Sequence, residues 1–493
     1  MIRSRMSRQN KFVFAFLSVF FLATAILAFL STGTYESGDS IQHYLIAHYS
    51  FKHPELFLDD WGKPFFTLLS SPFAQIGFFG ICLFNIMCGA LTGFIAYRTA
   101  LLFGWKNSWL APLFALFAPI YYVTLISGLT EPLFGLVLMT GVYFTVLRKP
   151  TIAAIVVSFL LFVRSEGFLL LPLFAISFLL LRNLISCFLL LTGPLVYSFI
   201  GYFKYHTFFW ILTENPYTGA KEIYGTGDLF HFLARNEFIW GTPLVVLFII
   251  GFLTYFFRPK ESAAIELLLI PGVFYIYLLA HSLFWWKGLF GSLGLIRVIA
   301  GIMPLSGLIA LKGFNLLMEF ISKIKWRAIP LIRIVLTVII CGLVVLMPFK
   351  QHRFPRDLGY EDEVIKEAAT WLKQNQPGKP KIYHLFPYLC VFLQTDPFDE
   401  NKYEPLWALK TSEAPGGSII VWDSHYCPNE GKMGLDLFAG KESLELLNSF
   451  KADSSKIPAD KQPFEVYVFR KKIIIPPKKT GINLFDNFTF WIH

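Results

Sequence analysis

Charge is what this sequence has least of. Asp, Glu, Lys and Arg make up only 15% of its 493 residues, whereas a soluble domain carries about 25%. With 55% hydrophobic residues, much of the surface must be covered by lipid rather than water, which excludes a water-covered globule as a description of the whole chain. Cysteine is also scarce, six residues in all, and none has zinc-ligand spacing. Cys82, Cys88, Cys187 and Cys341 lie in apolar runs and read as packing residues. Cys390 and Cys427 lie in the polar C-terminal part, where pairing stays open if that part is outside the cytoplasm. The chain has no glycine-rich phosphate loop, nucleophile motif, nucleic-acid-binding motif, internal repeat or low-complexity tract. The net charge of +10 would suit a polyanion in a soluble protein. Here most basic residues sit at the ends of apolar runs, where they orient the chain in a membrane.

Those apolar runs are the dominant feature. The first, Phe12 to Leu30, follows Arg3, Arg5, Arg8 and Lys11 and reads as an uncleaved signal anchor. A span needs about 20 apolar residues, and about eleven stretches qualify. They lie near 12–31, 77–103, 109–127, 130–147, 151–163, 167–182, 184–203, 239–257, 265–285, 293–311 and 329–349. With the basic N-terminus inside, alternate loops hold Lys106, Arg148, Lys149, Arg182, Arg258, Lys260, Lys312, Lys323, Lys325 and Arg327. The opposite loops hold Asp39, Asp59, Asp60, Glu131, Glu166, Glu214, Glu222, Asp228 and Glu237. An odd number of spans then puts the C-terminus outside.

The expected fold is mainly α: a polytopic membrane helix bundle over 1–349, with a first outer loop at 32–76 and another at 204–238. A small extracytoplasmic α/β domain follows at 350–493. In it, Glu361 to Gln376 has helical periodicity, with Val364, Ile365, Ala368, Ala369 and Leu372 on one side. Segments starting at Lys381, Ser418 and Phe464 read as strands, and Ser443 to Phe450 as a short helix.

The residues that can carry chemistry fall on the outer side. In the first outer loop, Asp39, Gln42, His43 and Ser50 share a polar stripe of a helix. Asp39-Ser-Ile-Gln42 fits an N-cap with its reciprocal glutamine; a capping acid is fixed and ionised, which also suits a general base. Asp59 and Asp60 precede Lys63-Pro64, either as a solvated turn or as an acid and a lysine facing an anionic ligand. Glu131, in Thr130-Glu131-Pro132, fits a helix start. Arg164 and Glu166 interrupt an apolar stretch; they pair with each other or serve a function. His281 precedes Trp285, Trp286 and Lys287, which suit an interface belt. Arg297 lies about one turn inside the next span and either snorkels outward or binds an anion such as phosphate.

This pattern resembles the GT-C superfamily of polytopic glycosyltransferases. Four pieces carry the resemblance: Gly38-Asp39 soon after the first span, an acid-rich segment running into Lys63-Pro64, Glu131-Pro132, and Arg297 before Pro304 in a late span. Lys63-Pro64 is similar to the Lys-Pro-Pro of aminoarabinose and mannosyl transferases. The sequence departs from the pattern in three places. Ser40 follows Asp39 where an Asp-Glu pair is familiar, Phe65 replaces the second proline, and Val298 follows Arg297 where tyrosine is familiar. These departures speak against a protein O-mannosyltransferase.

The resemblance implies an inverting transfer of a sugar, of the hexosyl or mannosyl type, from a polyprenyl-phosphate donor to an acceptor hydroxyl on a glycan, lipid or protein. Asp39 would be the general base. His43, Asp59, Asp60, Lys63, Glu131, Arg164, Glu166, His281 and Arg297 would line the substrate site, on the outer face of the inner (plasma) membrane. No cofactor is required on this reading, although Asp39, Asp59, Asp60 and Glu166 offer oxygen ligands of the kind Mg²⁺ or Mn²⁺ takes. The alternatives are a transporter or lipid flippase and a non-catalytic membrane scaffold. A transporter's ionisable groups would lie near the midplane.

Overall fold

The structure is a computed structural model and describes residues 2–213, 225–257, 263–376, 378, 380–459 and 461–473. Glu214, Glu222, Arg258 and Lys260, used above to orient the spans, lie outside the described residues. The chain divides into two compact units, Met1–Glu363 and Val364–His493.

The first unit is built from apolar helices. Six are long and apolar enough to cross a membrane: Arg8–Leu30, Phe78–Leu102, Leu184–Tyr205, Ala264–Lys287, Ile296–Ser322 and Ile329–Gln351. A further pair, Ser108–Leu116 and Pro119–Leu125, is bent by 74°. The bend has a local cause: Pro119 opens the second helix, and Ala118 before it is held extended, as a residue preceding proline prefers. Four shorter apolar helices complete the set, Glu131–Val146, Pro150–Val163, Ser165–Leu180 and Thr242–Phe257. Each of the eleven apolar stretches read from the sequence falls on one of these helices or on the bent pair.

Burial separates core helices from lipid-facing ones. The apolar window of Ile296–Ser322 is 83% buried, whereas that of Ile329–Gln351 is 11% buried. Leu331, Ile334 and Val338 on the latter are exposed, and such surface is stable only against lipid. The helices Thr242–Phe257 and Met303–Ser322 approach so closely that a Cβ on Gly251 would lie 1.9 Å from the Ile309 carbonyl oxygen. A Cβ on Gly313 would lie equally close, at 1.9 Å, to that of Leu247. Small residues at such a crossing let two backbones pack directly.

Between the first two membrane helices the chain folds into two short helices, Ser37–Tyr49 and Pro64–Ala74, joined through a 3₁₀ turn at Pro54–Leu58. This is the loop that carries Asp39 and Lys63.

The second unit has a five-stranded sheet. Its strands are β1 (Ile382–His384), β2 (Tyr403–Pro405), β3 (Ile419–Asp423), β4 (Leu444–Lys451) and β5 (Glu465–Lys471), in the order β2-β1-β3-β5-β4. β1 pairs in parallel with β2 and β3; β5 runs antiparallel to β3 and β4. Every residue of β3 is buried, as expected of a central strand covered on both faces. The helix Tyr360–Asn375 buries Val364, Ile365, Ala368, Ala369 and Leu372, the side its periodicity marked.

One expected element differs. Ser443 to Phe450 is not helical: Leu444–Lys451 is the edge strand β4. Its leucines fit either period, and pairing with β5 decides the outcome, a case of tertiary context overriding local pattern. Cys390 and Cys427 are free and buried rather than paired. Each has its own partner: Cys390 Sγ lies 3.2 Å from His384 Nε2, and the Cys427 thiol donates to Asp423 Oδ2 at 3.1 Å.

Candidate active site

Charges that lie far apart in the chain meet in one row inside the first unit. Arg297 Nη2 pairs with Asp39 Oδ2, and its Nη1 donates to Glu131 Oε1 at 2.9 Å. Arg164 Nη1 donates to the same Glu131 oxygen at 2.7 Å, and its Nη2 to Glu166 Oε1 at 2.9 Å. His281 Nε2 lies 3.8 Å beyond, facing Glu166 Oε1. The order is acid, base, acid, base, acid, so each arginine is shared by two carboxylates.

Local structure explains how each member reaches the row. Asp39 sits in the first turn of the helix Ser37–Tyr49. It is not the N-cap expected from Asp39-Ser-Ile-Gln42. The helix starts earlier, and Glu36 holds the cap position with φ 51° and ψ 65°. Asp39 therefore spends its carboxylate on Arg297, while the positive helix end still favours its charge. Glu131 opens the helix Glu131–Val146 behind Thr130, in the N-cap position expected of that threonine. The Thr130 hydroxyl accepts from Arg164 Nη1 at 3.3 Å instead of capping. Arg164 is extended, φ −154° and ψ 134°, between the helix Leu160–Val163 and the 3₁₀ turn Ser165–Leu170. That interruption of the apolar stretch turns its guanidinium inward. Arg297 lies in the 3₁₀ segment Ile296–Ile302 and points to two acids rather than snorkelling.

The row is closed in the middle and open at its ends. The Glu131 side chain is 0% exposed, Asp39 29% and Glu166 23%. A buried carboxylate is tolerable only with its charge compensated and hydrogen-bonded, and two arginines on one oxygen meet that need. Arg297 fixes Asp39 while leaving it partly open to solvent.

Lys63 occupies a neighbouring position. It is buried, its Nζ lies 3.5 Å from Asp60 Oδ1, and it donates to Ser165 Oγ at 3.3 Å. Ser165 adjoins Arg164, so Lys63 stands next to the row, and Ser165 is a member that the sequence did not single out. Burial pushes the Asp60 carboxyl above its ordinary value, against the pull of Lys63. Asp59 does something different: its Oδ1 accepts from the Gly62 backbone N–H at 2.7 Å and closes a turn. Asp59 thus closes a turn, while Asp60 faces Lys63. His43 is buried, and its Nδ1 donates to the Gly128 carbonyl at 3.2 Å. Burial lowers its proton affinity, which favours the neutral imidazole. His281 is buried against the rings of Tyr277 and Phe232.

The four acids named above as possible metal ligands are not brought together. Asp39 is with Arg297, Asp59 closes its turn, Asp60 faces Lys63, and Glu166 is with Arg164. Among the described residues no group of three His, Cys, Asp or Glu is placed to hold a metal ion.

The sequence finds no match among protein-family models or curated proteins. Solved structures are similar in fold. ArnT from Cupriavidus metallidurans bound to undecaprenyl phosphate matches with a TM-score of 0.59 at 11% identity, over 92% of this chain and 97% of that one. The archaeal oligosaccharyltransferase AglB from Archaeoglobus fulgidus, in complex with an inhibitory peptide and a dolichol-phosphate, matches at 0.54 and 11% identity, over 91% and 75%. The arabinofuranosyltransferase AftD from Mycobacteria matches at 0.52 and 12% identity, over 93% and 40%. The chain has the fold that these three structures share. Two apolar cavities of about 320 and 390 Å³ share Phe65 and Phe159 in their walls, and the rings of these two residues stack at 4.8 Å. Phe65 stands two residues after Lys63, and Leu133, in the first cavity wall, two residues after Glu131.

Proposed function

We propose that this protein is a membrane glycosyltransferase that moves a sugar from a polyprenyl-phosphate donor to an acceptor hydroxyl. The observation that carries the reading is Arg297 bridging the half-open Asp39 to the closed Glu131. The relatives in fold support it, since ArnT is seen with undecaprenyl phosphate and AglB with a dolichol-phosphate. The ionisable groups form one row together with the first outer loop, an arrangement that favours a reaction site over a transport path.

On this reading Asp39 is the general base. Arg297 engages its Oδ2, and the acceptor hydroxyl approaches Oδ1. The acceptor oxygen forms a bond to the anomeric carbon as its proton passes to Asp39. The bond between that carbon and the phosphate oxygen breaks, and the polyprenyl phosphate leaves with the electron pair. The transition state is oxocarbenium-like, and a single displacement inverts the anomeric configuration. The leaving group is already an anion, so it needs positive charge and no acid. On this reading Lys63, Arg164 and Arg297 supply it. Each is held in place by carboxylates before substrate arrives. The apolar cavities lined by Phe65 and Phe159 suit the isoprenoid chain. His43, Asp59, Glu166 and His281 shape the site around these groups. The sugar type follows from the donor that the purified protein consumes, and the acceptor, whether glycan, lipid or protein, from the glycosylated product.

Topology completes the proposal. Taking the bent pair and the four shorter helices as crossings makes eleven spans, with the N-terminus inside. The site and the C-terminal unit are then extracytoplasmic, at the inner (plasma) membrane. The basic residues of the inner loops support this orientation.

Two outcomes check the substrate assignments. Lys63→Met should raise KM for the lipid-linked donor by about 10-fold, with a smaller change in kcat, because one charge-assisted contact to a phosphate is lost. An unchanged KM in the steady-state assay would remove Lys63 from the donor site. Transfer should also proceed in excess EDTA, since we propose that no metal is required. Loss of turnover in EDTA, restored by Mg²⁺ or Mn²⁺, would show that the acids serve as ligands.

A further inference from the structure

Asn85 lies within the membrane helix Phe78–Leu102 and is fully buried. A buried amide in an apolar helix is costly unless its hydrogen bonds are made. Both of its donors are used on one short turn: Nδ2 donates to the carbonyls of Ser127 and Leu129, each at 2.8 Å. Gly128, between them, is gripped from the opposite side. Its carbonyl accepts from His43 Nδ1 at 3.2 Å, and a Cβ on it would lie 2.2 Å from the Ser40 carbonyl oxygen. The turn also braces itself, with the Leu129 N–H donating to Ser127 Oγ at 3.2 Å and that hydroxyl to the Thr124 carbonyl at 2.6 Å.

The placement matters because of what lies at each end. Ser40 follows Asp39 on the helix Ser37–Tyr49, and the turn runs through Thr130 into Glu131. Arg297 has a fixed reach and bridges the two carboxylates only while their spacing is held. Asn85 makes its hydrogen bonds to none of the three. It holds a segment that packs on the Asp39 helix and leads directly into Glu131.

We propose that Asn85 is a positioning residue: through the Ser127–Thr130 turn it sets the spacing of Asp39 and Glu131 that lets Arg297 engage both. The proposal rests on the reading of Asp39 as the base. A misplacement of about 1 Å at a reacting group can cost ~10²-fold in rate, so a residue that never meets substrate still governs turnover.

The test compares two variants of one helix in the full-length protein. Asn85→Leu keeps the volume and removes both donors. Thr99→Val removes a part-buried hydrogen bond within the helix itself, Thr99 Oγ1 to the Ile95 carbonyl at 2.8 Å. Asn85→Leu is expected to lower kcat by about 10–100-fold with KM for the donor within about 3-fold of the wild type, and Thr99→Val to leave both within about 3-fold. Hydrogen exchange at 127–131 should accelerate by about 10-fold or more in Asn85→Leu and stay unchanged in Thr99→Val. If Asn85→Leu does not fold, Gly128→Ala reaches the same turn from the Ser40 side, and the same kcat-selective loss is expected. Near-normal kcat in whichever of these variants folds, unchanged exchange at the turn, or an equal kcat loss in Thr99→Val would overturn the proposal. Failure of the glycosyl-transfer reading looks different: the wild type would consume no lipid-linked sugar, while the exchange comparison, which needs no turnover, would still report on the turn.

Discussion

Asp39→Asn is expected to lower sugar transfer by ~10²–10⁴-fold, the usual contribution of a positioned general base. The substitution changes almost nothing else. Asparagine has the same shape, and its carbonyl oxygen can still accept from Arg297. Arg297 also keeps its bond of 2.9 Å to Glu131, so no buried guanidinium is stranded. What asparagine cannot do is take a proton from an acceptor hydroxyl. Expression, membrane insertion and thermal midpoint should therefore stay close to those of the wild type, and binding of polyprenyl phosphate should persist. The measurement is initial-rate transfer alongside a thermal melt in detergent. Transfer near the wild-type rate would remove Asp39 as the base.

Glu131→Ala should do the reverse, and its main effect is on the fold. Glu131 is closed to solvent and receives Arg164 at 2.7 Å and Arg297 at 2.9 Å on one oxygen. Without it, two buried guanidiniums lose their common counter-charge. Breaking one partner of a buried ion pair typically costs about 3–5 kcal/mol, and here two pairs break together. The thermal midpoint should fall sharply, with transfer lost as Arg297 is freed from its inner anchor. Glu131→Gln keeps the volume and one acceptor oxygen, so its loss should be smaller. An unchanged midpoint for Glu131→Ala would mean that the row is held by its surroundings rather than by its central acid. The two variants together separate the roles that position assigns: the open end of the row acts on substrate, and its closed centre holds the machinery.

Much of this was legible from the residues, for physical reasons. The membrane helices follow from long apolar runs, since lipid leaves a chain little choice but to satisfy its backbone internally. Arg164, Glu166 and Arg297 stood out because an uncompensated charge in an apolar run is costly, and Glu131 because it opens a helix at the end of one. Their pairing was not legible. Nothing local says that Arg297 reaches back to Asp39 and Glu131, or that Arg164 prefers Glu131 as well as its neighbour Glu166. Asp39 was read as a cap because its tetrapeptide fits one. The helix instead starts from Glu36 in a left-handed conformation, which no propensity would favour. Leu444–Lys451 became a strand because β5 offered an edge. Asn85 was invisible for a simpler reason: a single amide in an apolar helix has no pattern, and its meaning lies entirely in the turn it holds.

The central claim is that a sugar leaves polyprenyl phosphate and reaches an acceptor at Asp39. The most direct test incubates the purified protein, in lipid, with a set of polyprenyl-phosphate-linked sugars and an acceptor extract, and follows release of polyprenyl phosphate together with the anomeric configuration of the product. The account predicts that one donor is consumed with inversion by the wild type and is bound but not consumed by Asp39→Asn. Consumption of no donor, retention of configuration, or equal consumption by the variant would contradict it.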